Sequence, residues 1–155
     1  MKYPKTKEIL NQLVADFSQM SANIHQVHWY MRGRGFLTLH PLLDTFKADI
    51  DEQLDDCAER LITLDGSPYS TLEEFYTNSK IKASTANWTD TLEERFTLLV
   101  DGYKYLLNLI NKGIDISGEE GDDVTQNMLI AMLTNIEKRI WMVQAHFNHA
   151  PNIDK

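Results

Sequence analysis

A stretch between His25 and Arg60 constrains the fold and the chemistry of this chain more than any other. Beyond a break at Gly33 and Gly35, side chains with nitrogen or oxygen donors recur at steps of four, seven, four and four residues, the recurrence of one α-helical face. The members of this face, which we call the donor stripe, are His40, Asp44, Asp51, Asp55 and Glu59. A second histidine, His28, precedes the break, and a tight turn there would fold it back beside the stripe.

In a single copy of this helix, the donors at the two ends of the stripe are too far apart to bind the same ion. If residues 39–64 form one continuous helix, His40 and Asp55 are fifteen residues apart, which is roughly 22 Å at about 1.5 Å per residue. Bonds from a metal ion to histidine nitrogen or carboxylate oxygen are only about 2.0–2.2 Å long. A second copy, packed antiparallel about a two-fold axis near Ile50, would bring the opposite ends of the two stripes together and create two equivalent sites. The spacing therefore predicts a metal site shared between two chains.

The shared site is predicted to take His28, His40 and Asp44 from one chain and Asp55 and Glu59 from the other. Taken singly, each of these residues fits a solvated helix face, but their combination on one stripe favours metal binding. Clustered carboxylates repel one another unless a cation lies between them. Lys47 is the only Lys or Arg between His40 and Glu59, and it is expected to project off the stripe. A donor set of nitrogen and oxygen without thiolate suits Fe(II), Mn(II) or Zn(II).

Composition excludes several classes of protein. The 155 residues carry a formal net charge of −8 and a pI of about 5.0, so DNA phosphates would repel the chain unless it had a local basic patch, and neither end of the sequence is a basic arm. Cys57 is the only cysteine, which excludes an intrachain disulfide and fits a reducing compartment. No signal peptide is apparent and no apolar run approaches the roughly 20 residues of a membrane span, so we expect a cytoplasmic protein.

Apolar periodicity predicts an all-α fold with four long helices. The first starts near Thr6 and ends at the glycine break, the second runs from about Thr38 to Gly66, the third from about Thr89 to Lys112 and the fourth from about Asp122 to Asn148. Ile62 and Val124 are assigned to the buried faces. Gly113 and Gly118 are expected to bracket the last connection.

The connection between the second and third helices is the longest, and it contains a predicted short helix. Ser70-Thr71-Leu72-Glu73 has the spacing of a capping box, and the short helix should extend to about Thr77. A single long crossover of this kind is typical of ferritin-like four-helix bundles, so the whole chain, residues 1–155, is expected to form one such domain. Ferritin-like proteins with an internal di-iron site use Glu-x-x-His pairs, which this sequence lacks, and this again favours a site between chains.

Several motifs along the chain form one pattern: His28-Trp29-Tyr30-Met31-x-Gly, Phe36, His40, Asp44, Asp55 and Glu59, then Gly66-Ser67-Pro68, Ser70-Thr71-Leu72, Glu120 to Thr125 and Ile140-Trp141-Met142. This pattern closely resembles the Dps family, the bacterial miniferritins. It covers nearly the whole chain. It implies a hollow homo-dodecamer of ferritin-like subunits with ferroxidase sites at two-fold interfaces. The five residues predicted above would be the ligands, in agreement with the distance argument.

The resemblance also implies a reaction and two further sets of residues. The expected activity is oxidation of Fe(II), with hydrogen peroxide preferred as oxidant, and storage of Fe(III) oxide inside the shell, which would protect against oxidative damage. Trp29 is expected to pack at an interface or, alternatively, to donate electrons when only one iron is present. Asp123 and Asp122 are candidates for an acidic pore that draws in Fe(II), although charges near a helix N-terminus would also explain them.

Two alternative functions remain open at this point. The first is a nucleoid-associated shell that binds DNA directly, as some Dps relatives do through lysine-rich tails; the missing tail and the charge of −8 argue against it. The second is a zinc- or manganese-binding shell without oxidation chemistry.

Overall fold

The computed structural model describes residues 1–154 and, in that range, consists of five α-helices without any β-strand. The helices are α1 (Pro4–Tyr30), α2 (Phe36–Thr63), α3 (Leu72–Asn78), α4 (Leu92–Glu120) and α5 (Asp123–His146). The four long helices form two packed hairpins, α1 with α2 and α4 with α5, and α1 also packs on α4. The short helix α3 lies in the long crossover and packs on α1. The predicted all-α, ferritin-like bundle with an extra helix in its crossover is therefore confirmed.

The apolar faces of the four long helices meet in one core. Its largest fully buried side chains include Tyr103, Phe17, Phe46 and Phe96. Two residues assigned to buried faces are not part of it, because Ile62 is 60% exposed and Val124 is 62% exposed in the single chain. No helix within residues 1–154 is both long and apolar enough to cross a bilayer.

The start of α1 is fixed by a contact from the far end of the chain. Glu120, at the end of α4, accepts hydrogen bonds from the backbone amides of Lys5 (3.1 Å) and Thr6 (2.9 Å). These bonds satisfy donors that the first turn of a helix leaves without a partner. The helix therefore begins at Pro4, with Tyr3 as N-cap, and not near Thr6 as predicted.

Helix α4 is longer than the sequence pattern predicts, because two glycines that we assigned to a loop lie inside it. Gly113 is buried where α4 meets its neighbours; a Cβ there would lie 2.8 Å from Leu129 Cδ1 and 2.9 Å from Ile9 Cγ2. Gly118 lies in the last turn of the helix. The glycine that ends α4 is Gly121, whose φ of 76° is costly for other residues.

Capping boxes set the start of α3 and α4. The box of α3 joins Thr71 to Glu74, one residue later than the predicted Ser70–Glu73 spacing. A second box joins Thr91 to Glu94, so α4 begins at Leu92 instead of Thr89. In both, the threonine hydroxyl accepts from the amide of the glutamate, and the glutamate side chain accepts from the threonine amide.

A fully buried carboxylate holds the crossover against the bundle. Asp16 of α1 accepts hydrogen bonds from Gln12 Nε2 (2.9 Å), Ser79 Oγ (3.0 Å), the Lys80 amide (2.7 Å) and the Tyr105 hydroxyl (2.8 Å). Buried charge is tolerated when its lone pairs are satisfied in this way. The crossover is thus tied to α1 and α4 immediately after α3 ends.

Candidate metal centre

A turn between α1 and α2 brings His28 and His40 together. The turn contains Gly33 with a φ of 97° and Gly35 with a φ of 90°, values that a residue without a Cβ adopts at little cost. Gly35 is the N-cap of α2, and its carbonyl accepts from the amide of Leu39 (2.9 Å). The two glycines therefore reverse the chain within a few residues, as the sequence predicted.

The two imidazole rings hold one another in place. His28 Nδ1 lies 2.7 Å from the carbonyl oxygen of His40, and His40 Nδ1 lies 2.8 Å from the carbonyl oxygen of His28. The rings stack with centroids 3.6 Å apart and an angle of 13° between their planes. A carbonyl oxygen can only accept, so each Nδ1 must carry the proton. In the neutral rings, both Nε2 atoms then have free lone pairs suited to a metal ion.

Asp44 completes this end of the donor stripe. One turn of α2 beyond His40, its Oδ1 lies 3.6 Å from His28 Nε2, and its side chain is exposed. Phe36 stacks on His40 with ring centroids 4.7 Å apart and covers the outer face of that ring. We call His28, His40 and Asp44 the histidine half-site.

The other two predicted ligands lie toward the far end of the same helix. Helix α2 is continuous over residues 36–63, so the condition for the distance argument is met and Asp55 lies roughly 22 Å from His40. Asp55 and Glu59 are exposed, and neither carboxylate has a hydrogen-bond or ion-pair partner among residues 1–154. In the same part of the chain, no three His, Cys, Asp or Glu side chains are placed to hold a metal ion. We call Asp55 and Glu59 the carboxylate half-site.

Asp51 lies on the donor stripe, but its carboxylate is already engaged. Ser21 Oγ donates to Oδ1 at 2.6 Å, and Lys47 Nζ lies 2.6 Å from Oδ2. The expectation that Lys47 projects off the stripe is therefore wrong, because its long side chain reaches along the helix to pair with a member of the stripe. Asp51 is the only member of the donor stripe whose carboxylate pairs with a lysine in the described chain.

Sequence reasoning did not single out His25, which stacks on Trp29 with ring centroids 4.6 Å apart. Its ring lies 6.3 Å from that of His28, so it borders the histidine half-site. Burial lowers the pKa of His25, and the positive charge of Lys47 lowers it further. Trp29 is 64% exposed in the single chain. The four-residue spacing of His25 and Trp29 on α1 was the signal in the sequence that could have revealed this pair.

The two pore candidates differ in their surroundings. Asp122 is 2% exposed, accepts from the amide of Thr125 as the N-cap of α5, and pairs with Arg60 of α2 at 2.6 Å. Burial pushes the pKa of Asp122 up, but hydrogen bonds from Thr125 and Arg60 outweigh it and hold the pKa below its usual value. Asp123, in contrast, is exposed. The structure thus gives Asp122 a capping role, which leaves Asp123 as the pore candidate.

The donor set of the two half-sites consists of imidazole nitrogen and carboxylate oxygen. The single thiol cannot add to it, because Cys57 is fully buried and burial raises the pKa of its thiol. Such a set binds divalent first-row metals, including redox-active Fe(II). Because Asp44, Asp55 and Glu59 are exposed, both half-sites are accessible to a second chain.

Comparison with known proteins identifies the family of the chain. A family model described as a ferritin-like domain matches residues 7–153. The DNA protection during starvation protein of Streptococcus suis is 47% identical over 148 residues, which cover 96% of this chain and 86% of the relative. The protein of the same name from Listeria innocua is 42% identical over 146 residues, 94% of each chain.

Solved structures agree as well. The X-ray structure of Dps from Listeria monocytogenes is similar with a TM-score of 0.92 at 41% identity, and the match covers 94% of this chain and 95% of that one. Dps from Listeria innocua soaked with cobalt matches with a TM-score of 0.92 at 42% identity, covering 94% of both chains. On the strength of its helices, its histidine turn and these similarities, the chain belongs to the Dps family of ferritin-like proteins.

Proposed function

We propose that this protein oxidises Fe(II), preferably with hydrogen peroxide, at centres shared between two subunits, and stores the Fe(III) oxide in a hollow dodecamer. The observation that carries the proposal is the separation of two complementary half-sites along one unbroken helix. The histidine half-site lies near the start of α2 and the carboxylate half-site lies near its end. A two-fold axis near Ile50 would bring the histidine half-site of each chain against the carboxylate half-site of its partner.

The residues have distinct roles in this proposal. His28 and His40 offer Nε2 lone pairs whose direction is preset by the two Nδ1 hydrogen bonds to backbone carbonyls. Asp55 and Glu59 of the partner neutralise the bound cation. Asp44 supports a second, more weakly held cation. So few protein ligands leave coordination positions open for water or peroxide.

The proposed reaction balances without a radical product. Two Fe(II) ions give one electron each to hydrogen peroxide, its O–O bond breaks, and two protons complete two molecules of water. Delivery of both electrons together avoids hydroxyl radical, which forms when a single Fe(II) reduces peroxide. The relatives are named for DNA protection during starvation; in this chain we propose that protection comes from removing iron and peroxide in the cytoplasm during oxidative stress.

Substitution of one ligand from each half tests the proposal. We expect His28→Ala and Glu59→Ala each to abolish fast peroxide-driven oxidation of Fe(II), followed by the ultraviolet absorbance of Fe(III), while the mass of the assembly stays unchanged. Asp115→Ala, an exposed acid on α4, is the matched control and should oxidise iron normally. Wild-type rates in both ligand variants would reject the assignment. A wild-type protein that bound zinc or manganese but oxidised no iron would instead favour a shell without oxidation chemistry.

Trp29 and Asp123 have secondary roles in the proposal. Trp29 follows His28 directly, and we propose that it supplies an electron when only one Fe(II) is bound, in addition to packing at the subunit interface. Asp123 is exposed at the start of α5, and we propose that it lines a pore through which Fe(II) enters.

A DNA-binding function is the competing proposal, and the net charge of −8 opposes it. A gel-shift experiment at low salt without added divalent metal separates the two. We expect no retention of DNA under these conditions, whereas strong retention would favour direct binding.

A further inference from the structure

The central part of the donor stripe carries a charge pair that the proposed centre does not use. Asp44, Lys47 and Asp51 follow one another at steps of three and four residues, so their side chains are neighbours on one face of α2. Lys47 is half-buried, and its Nζ lies 2.6 Å from Asp51 Oδ2. The other oxygen of Asp51 accepts from Ser21 of α1 at 2.6 Å. Both oxygens of Asp51 are thereby withheld from a metal ion.

This pair is poorly suited to stabilising the helix itself. Glutamate or aspartate four residues before a lysine is the favourable order, because it agrees with the helix dipole; here the lysine comes first. A partly exposed ion pair between two side chains of one helix contributes little to stability. Its position beside the histidine half-site is therefore the more informative feature.

The charge of Lys47 acts on His25, which borders the histidine half-site. Burial is the main cause of the lowered pKa of His25, and Lys47 is the next, while Asp51 acts in the opposite direction. The ring of His25 lies 6.3 Å from that of His28. Both members of the pair are thus close enough to influence the electrostatic potential at the half-site.

Counting charge shows what the pair does at a shared centre. The proposed ligands Asp44, Asp55 and Glu59 carry three negative charges, and an imidazole that binds a metal ion adds none. One divalent cation leaves one negative charge uncompensated, and a second cation produces an excess of positive charge. A free Asp51 would bring the centre with two cations to neutrality, but Lys47 cancels that carboxylate.

We propose that Lys47 sets the cation occupancy of the shared centre: by pairing with Asp51 it keeps the second divalent cation weakly bound and exchangeable. Lys47 acts as a positioning residue, through Asp51 and through its own charge, and touches neither the metal nor the oxidant. This inference rests on the proposed function for the location of the centre. A weakly held second Fe(II) would leave readily after oxidation, toward the stored mineral.

Binding of Zn(II) to the assembled, metal-free protein tests this without any redox reaction. We expect calorimetric titration of the wild type to show one tight and one weaker cation per centre. Lys47→Gln removes the charge and should tighten the second cation by about five- to tenfold, whereas Lys47→Arg keeps the charge and should leave both affinities unchanged. Raising the ionic strength to about 1 M should reduce the difference in affinity between Lys47→Gln and the wild type, because the Debye length falls to about 3 Å.

The reciprocal variant separates this role from a structural one. Asp51→Asn leaves Lys47 without its partner and should weaken the second cation by about five- to tenfold, the opposite sign to Lys47→Gln. The double variant, which combines Lys47→Gln with Asp51→Asn, restores the original net charge, and its affinity for the second cation should be close to that of the wild type. A purely structural pair predicts that both single variants lower the thermal midpoint and shift zinc affinity in the same direction, or leave it unchanged.

Two outcomes overturn the proposal in distinguishable ways. Equal zinc isotherms for the wild type and Lys47→Gln, in assemblies of the same mass, would reject the role of Lys47 and leave the shared centre intact. Zinc isotherms that do not respond to His28→Ala and Glu59→Ala would reject the shared centre itself and this inference with it.

Discussion

At the scale of single residues, backbone carbonyl oxygens fix the orientation of the two imidazole rings in the histidine half-site. The donor types and their spacing could be read from the sequence, because a helical stripe has a fixed period. Which ring nitrogen of His28 and His40 donates a hydrogen bond could not, since this depends on two carbonyl oxygens that the glycine turn places opposite the rings. The same holds for the hydrogen bond that Ser21 of α1 donates to Asp51, which becomes visible only once α1 and α2 are packed, whereas Lys47 is a neighbour of Asp51 on the same helix.

Asp122 shows how a distant partner changes the role of an acid. In the sequence Asp122 is one of several acids near a helix N-terminus, and only the family resemblance makes it a pore candidate. In the structure it pairs with Arg60, sixty-two residues earlier. A local pattern contains no information about that contact.

A pH dependence follows for Asp122. The pKa of Asp122 is lower in the folded state than its ordinary value of 3.8, so the ionised carboxylate stabilises the fold at pH values above 3.8. This contribution is lost as the pH falls through the lower folded-state pKa. We expect Asp122→Asn to lose about 1–3 kcal/mol of stability at neutral pH and to show a flatter decline in acid. Thermal midpoints measured from pH 7 to pH 3 would check this. The exposed neighbour variant Asp123→Asn should follow the wild-type profile.

At the scale of elements, helix ends were the least predictable part of the fold. Periodicity identified all four long helices, since amphipathic stripes are long and repetitive, and a capping-box spacing identified the short helix. Their limits depend on tertiary contacts, such as the Glu120 cap on α1 and the close packing at Gly113. Glycine ordinarily weakens a helix, so its presence suggested a loop.

The two glycines inside α4 should respond differently to substitution. Gly113→Ala places a methyl group against Leu129 and Ile9 in the core, and we expect it to destabilise the protein by about 1–3 kcal/mol. Gly118→Ala meets only the flexible end of Gln126 and gains helix propensity, so its stability should stay within about 1 kcal/mol of the wild type. Chemical denaturation of both variants would check the contrast, and equal losses would contradict the packing argument.

The crossover should loosen when its buried anchor is removed. Asp16→Ala leaves Ser79, the Lys80 amide and the Tyr105 hydroxyl without their acceptor, at a cost of about 1–3 kcal/mol for each group that stays buried and unpaired. We expect faster proteolytic cleavage within residues 79–91, measured by mass spectrometry. The control Ser79→Ala removes one of these bonds and should have a smaller effect; protection equal to that of the wild type in Asp16→Ala would contradict this role.

At the scale of the whole molecule, the sequence already predicted a second copy. That inference needed only the length of one helix and the length of a metal–ligand bond. The exposed aromatic surface of the single chain, with Trp29 at 64% and Trp141 at 52%, is consistent with burial between subunits.

Mixed assemblies provide the sharpest test of a shared centre. Co-expression of His28→Ala with Glu59→Ala creates some centres that take the histidine half-site from one variant and the carboxylate half-site from the other. With random pairing, about a quarter of the centres should be intact, so ferroxidase activity should recover to about a quarter of the wild type although each variant alone has none. Absence of any recovery in assemblies shown to contain both variants would indicate centres built within single chains.

The unbroken course of α2 has a genetic consequence. In the proposed assembly every subunit serves two centres at once, so a chain defective at both ends of this helix would disable each centre that it joins, even beside a normal neighbour. In cells that produce normal and doubly defective chains together, a centre is intact only if both of its chains are normal. The fraction of active centres is then smaller than the fraction of normal chains, so such an allele would behave as a dominant negative.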